Sequence, residues 1–125
     1  MIHQVRIPVK NAVVLLMDRN EGEIPEFLDD RIIASTATCI AVGTMAEIDG
    51  ETLLVLSDED APVKSDPGLK LIFEGELRLP RKELSLCTVL LESLLTISVV
   101  DTQSTVKIWA NDDKEPDKIW VTAKS

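Results

Sequence analysis

Carboxylates are the most abundant chemical resource of this sequence, and they gather in three stretches: Asp18, Glu21, Glu23, Glu26, Asp29 and Asp30; then Asp58, Glu59, Asp60 and Asp66; then Asp112, Asp113, Glu115 and Asp117. Oxygen-rich loops of this kind suit calcium, a sugar-cleaving acid pair, or the electrostatic capture of a cationic protein. The calcium pattern is incomplete. Asp18-Arg19-Asn20-Glu21-Gly22-Glu23 resembles the start of a helix-loop-helix calcium motif, but Glu23 stands where that loop needs glycine and flanking helices are missing. A sugar cleft needs stacking aromatics, and only Phe27, Phe73, Trp109 and Trp120 are aromatic.

Other catalytic groups are few. His3 is the single histidine and lies near the chain start, where general-base work would need a positioned partner. Cys39 and Cys87 lie far apart in sequence, outside any C-x-x-C spacing, and read as buried thiols. There is no glycine-rich phosphate loop. These residues predict no enzyme and no cofactor.

The charge narrows the partners. The chain has 125 residues and a formal net charge of -9. Phosphate contacts need a basic face, so direct nucleic-acid binding and docking on anionic membranes are disfavoured. A rigid acidic surface instead speeds encounter with a basic protein and favours it over neutral ones. Residues 1–68 hold 13 acids against 5 bases, net -8, whereas residues 69–125 hold 9 against 8, net -1. Partner contact is therefore expected chiefly from Asp18, Glu21, Glu23, Glu26, Asp29 and Asp30, with Asp58, Glu59 and Asp60. The bland alternative is that acidic loops simply keep a β protein soluble.

The elements that must position these groups are strands. Leu69, Leu71, Phe73, Leu77 and Leu79 alternate with charged residues, with Gly75 on the same inward face as a candidate bend or bulge. Ile40 and Val42, then Leu53 and Val55, flank Ile48-Asp49-Gly50-Glu51, whose Asp-Gly pair predicts a tight hairpin turn. A second hairpin pairs residues 105–110 with 118–122 and sets Trp109 and Trp120 on the outward face marked by Lys107 and Lys118. The two indoles are expected to form an exposed anchor for a partner, unless the loop from Arg19 to Asp30 folds over them.

Residues 84–86, 94–100, 5–9 and 13–17 supply further strands. The nearest helical stretch, Val89 to Leu95, spans about two turns. The expectation is a single domain over residues 1–125, an antiparallel β-sandwich of about eight strands with at most one short helix. Met1 to Lys10 lacks the apolar run of a secretory signal and Val89 to Val100 is too polar to span a membrane, which predicts a cytoplasmic protein.

The carboxy-terminal half also carries a family cadence. Phe73-Glu74-Gly75-Glu76-Leu77-Arg78-Leu79-Pro80, Glu83-Leu84-Ser85-Leu86, Val106-Lys107-Ile108-Trp109-Ala110-Asn111 and Glu115-Pro116-Asp117-Lys118-Ile119-Trp120-Val121 resemble the competence protein J family of bacterial β-sandwiches. The likeness spans about the last 60 residues and consists of strand and turn signatures, while the amino half matches in strand rhythm alone. The resemblance implies a cytoplasmic sandwich that inhibits a DNA-cutting nuclease. A nuclease groove is basic because it holds phosphates, so an acidic inhibitor suits it. The expected function is a non-enzymatic inhibitor or immunity-type protein that blocks a basic partner such as a nuclease or toxin. The alternative is a small-ligand or calcium-binding sandwich.

Overall fold

The computed structural model describes residues 2–18, 22–26, 32–58 and 68–124. Among the described residues ten strands form two five-stranded sheets. In chain order they are β1 (Ile2–Ile7), β2 (Val13–Met17), β3 (Ile33–Ser35), β4 (Cys39–Gly43), β5 (Thr52–Ser57), β6 (Lys70–Arg78), β7 (Glu83–Thr88), β8 (Ser93–Ser98), β9 (Gln103–Ala110) and β10 (Lys118–Lys124). The first sheet has the order β1-β5-β10-β9-β6 and the second β3-β4-β2-β7-β8. Helical structure among the described residues is limited to two 3-10 turns, Lys10–Ala12 and Glu47–Asp49. Among the described residues no helix is long and apolar enough to cross a membrane.

Period-two alternation builds the core between the sheets. Leu54 and Leu56 of β5, Val106 and Ile108 of β9, and Ile119 and Val121 of β10 face Val14 and Leu16 of β2, Ile40 and Val42 of β4, and Leu84 and Leu86 of β7. All of these side chains are buried. A smaller cluster of Leu15, Met17, Cys39, Ala41 and Cys87 occupies the opposite face of the second sheet. Gly22 lies on that face, where a Cβ would come within 2.6 Å of the Met17 Cβ. Only a glycine permits so close an approach there.

Some sequence expectations hold and others are corrected. The all-β sandwich stands, and β9 and β10 form the expected antiparallel hairpin. The strand count is ten, and the first sheet is mixed, because β5 and β10 run parallel. The hairpin expected across Asp49-Gly50 is absent: β4 and β5 lie in different sheets. Asp49 closes the 3-10 turn and Gly50, at φ +136, redirects the chain from one sheet to the other. Asp-Gly supplied the left-handed-side backbone, but the burial of both flanking strands decided their partners.

The irregularity in β6 also sits elsewhere. The register shifts between Leu71 and Phe73, turning Leu71 outward, instead of at Gly75. Gly75 serves the neighbouring ring, since a Cβ there would stand 3.0 Å from the Phe73 Cζ. The β7–β8 connection, the nearest helical candidate, is a turn.

Strand directions define two ends. The β1–β2, β4–β5, β7–β8 and β9–β10 connections share one end, called upper here. Both β2 and β5 finish at the lower end, at Asp18 and Asp58. Because β3 runs parallel to β2 across β4, and β6 parallel to β5 across β10 and β9, the two long connections that carry most of the early acids are crossovers.

Candidate partner-binding surface

The sequence-predicted carboxylates have different fates. Asp18 is buried, only 1% exposed. One of its carboxylate oxygens accepts the backbone N–H of Arg81. It holds the end of β2 against the β6–β7 turn, and its expected role as a surface acid is corrected. Glu23 and Glu26 are exposed. Their segment is tied to the β3–β4 turn: the Glu23 N–H donates to Thr38 Oγ1 at 2.9 Å, and Thr36 Oγ1 donates to the Glu23 carbonyl at 2.6 Å. Asp58 is exposed just past β5. Glu21, Asp29, Asp30, Glu59 and Asp60 lie outside the described residues.

The two tryptophans do meet. Trp109 of β9 and Trp120 of β10 are direct cross-strand partners on the face turned away from the second sheet. They do not form an open patch, because Trp109 is 4% exposed and Trp120 half-buried. The Trp120 indole nitrogen is buried with no acceptor among the described residues. Val55 and Thr122, on the same outward face, are buried as well. Around Trp109 that face is therefore covered, while Leu71 at its β6 edge is 48% exposed, and Trp109 is a packing residue.

The two cysteines are buried thiols, and neither forms a disulfide. They stand on β4 and β7 with β2 between them, opposite Met17 and Leu15. Two inter-strand steps of about 4.8 Å exceed the Cα separation of about 4.4–6.8 Å that a disulfide spans. Burial, with the Cys87 thiol nearby as a smaller cause, pushes the Cys39 thiol up to about 12.

An open trough of about 770 Å³ runs beside β3 and β6, with Glu26 as the one carboxylate among its described wall residues, which include Ile33 and Ile72. Among the described residues it offers no acid pair. No group of three or more potential metal-ligating side chains gathers among the described residues.

The upper end gathers acids that spacing alone did not unite. The loops over residues 8–12, 44–51, 89–92 and 111–117 carry eight exposed carboxylates, Glu47, Asp49, Glu51, Glu92, Asp112, Asp113, Glu115 and Asp117, against Lys10 and Lys114. They are stitched together. Thr44 N–H donates to the Ala12 carbonyl at 2.8 Å, Met45 N–H to the Pro116 carbonyl at 2.9 Å, and Lys10 Nζ lies 3.3 Å from Glu92 Oε1. Within the last loop Asp112 caps its own turn, accepting from Glu115 N–H at 2.8 Å and Lys114 N–H at 3.3 Å. The Glu115 N–H is the chief reason the Asp112 carboxyl is held below its usual value. The sequence signal was the third acidic stretch, which needed the Asp49-Gly50 loop beside it to become a surface.

No protein-family model and no curated protein sequence matches this chain. Among solved structures it is similar to ComJ from Bacillus subtilis, an inhibitor of the DNA-degrading activity of NucA. The TM-score is 0.61 at 11% sequence identity, covering 100% of this chain and 98% of that one. The likeness is one of fold and runs end to end, including the amino half, where the sequence matched only in strand rhythm.

Proposed function

We propose that this protein is an acidic, non-enzymatic inhibitor that blocks a basic protein partner of the nuclease type. The observation that carries the reading is the end-to-end fold likeness to ComJ, itself a nuclease inhibitor. The net charge of -9 supports it, because a groove built to hold DNA phosphates is cationic and an acidic rigid body competes for it. Of the carboxylates expected from the sequence, Glu23, Glu26 and Asp58 are exposed.

The experiment is a DNA-degradation assay with Bacillus subtilis NucA and the purified chain, run at low and at high salt. Inhibition that weakens steeply as salt rises is expected, since exposed charges are screened over about 8–10 Å at physiological ionic strength. Undiminished DNA degradation at equimolar and excess protein would overturn the reading for this nuclease. Salt-independent inhibition would overturn its electrostatic part.

A further inference from the structure

We propose that the upper end of the sandwich is the surface on which this chain docks a basic protein, with Ile48, Leu90 and Leu91 as apolar anchors inside a carboxylate rim. This locates the interface of the inhibitor reading above and rests on it for the partner's class.

Three large apolar side chains stand in solvent there: Ile48 is 91% exposed, Leu90 62% and Leu91 44%. Single exposed apolar residues are ordinary, but these sit at the tips of loops joined through the Lys10–Glu92 ion pair and the neighbouring 3-10 turns. The β7–β8 tip is held in shape. The buried Thr88 accepts through its Oγ1 from the N–H groups of Leu90 at 3.2 Å and Glu92 at 3.3 Å, while its carbonyl accepts from Leu91 N–H at 2.9 Å. Leu91 itself adopts φ +63, a left-handed conformation that leucine rarely takes. The fold therefore keeps two leucines outside the core on a rigid, strained tip, and such preorganisation lowers the ordering cost of association.

The rim states what covers these anchors. Eight carboxylates against Lys10 and Lys114 give the four loops a net charge of -6. Like charge opposes a second copy of this chain, and nucleic acids and anionic bilayers are repelled in the same way. A cationic protein surface with an apolar centre is complementary. The described lower end is different, because Arg78, Arg81, Lys82 and Lys124 are exposed there beside Glu23, Asp58 and Asp101, which leaves it without a net acidic charge. A basic partner is thus drawn to the upper end.

Two measurements test this. The first maps amide and methyl NMR shifts on titration with a peptide of alternating lysine and leucine, with an all-lysine peptide of equal charge as control. Shifts centred on Ile48, Leu90 and Leu91, larger with the lysine–leucine peptide, are expected. Shifts centred on Glu23, Glu26 and Asp58, equal effects of both peptides, or no shift at the upper end would overturn the proposal. The second compares I48D and L90D with the wild type in NucA inhibition, after their melting temperatures are shown to be unchanged. Each is expected to raise the inhibitory concentration at least tenfold. Wild-type inhibition with unaffected variants overturns the docking surface and leaves the inhibitor reading standing. No wild-type inhibition, with peptide shifts at the upper end, removes the nuclease reading and leaves the surface.

Discussion

Trp109 and Trp120 oppose one another directly across the β9–β10 pair, yet Trp109 is buried and the Trp120 indole N–H has no acceptor among the described residues. The pair packs on the outward face of the first sheet. Trp109→Ala is expected to cost about 3–5 kcal/mol, the range for emptying a large buried aromatic site. Trp120→Phe should cost much less, because it keeps a ring against Trp109 and removes a donor that is buried without reward. Urea unfolding of the two variants measures the difference.

Leu91 tests whether the upper end stores strain. Leu91→Asn places a residue tolerant of φ +63 at that position and should stabilise the fold by about 1 kcal/mol, raising the melting temperature by a few degrees. The same change removes an apolar anchor, so NucA inhibition is expected to weaken as stability rises.

Cys39 predicts an alkaline stability limb. Its thiol is held neutral in the fold up to about 12, against an ordinary 9.0. Above about pH 9 the unfolded chain releases this proton and the folded chain does not, so stability falls as pH rises toward 12. The contribution is fully present below the unfolded value. Cys39→Ala should flatten this limb relative to the wild type, by up to a few kcal/mol, in denaturant titrations between pH 8 and 11. Native thiol labelling at pH 8 should be slow and become fast in denaturant.

Asp112 organises the β9–β10 loop through its bonds from the Glu115 and Lys114 amides. Its carboxyl is lowered in the fold, so this order is present above the ordinary value of 3.8 and is lost as pH falls through the folded value. Asp112→Ala should speed hydrogen exchange at the Glu115 and Lys114 amides at neutral pH and leave the melting temperature nearly unchanged.

Gly22 tests the packing over the outer cysteine-bearing cluster. Gly22→Ala drives a methyl to 2.6 Å from the Met17 Cβ and 2.9 Å from the Thr38 carbonyl oxygen. A loss of about 1–3 kcal/mol is expected in chemical unfolding, as for other overpacked sites.

Alternation along residues 105–110 and 118–122 was enough to identify β9, β10 and the Trp109–Trp120 pairing, because each strand buries one face and a slip of one residue would reverse it. Alternation in the other segments likewise indicated the all-β class, and composition the acidic character and the shortage of histidine and paired cysteines. The tertiary structure decided the rest. Asp49-Gly50 marks a turn in any context, but only the packing of β4 and β5 into opposite sheets made it a bridge between them. Asp18 reads as a surface acid until the β6–β7 turn is brought against it, and Trp109 reads as an exposed anchor until its side chain is found buried. The upper surface joins residues far apart in the chain, such as Lys10 and Glu92, which are 82 positions apart. Local patterning sets which way a side chain points from its strand, while long-range packing sets what it meets there.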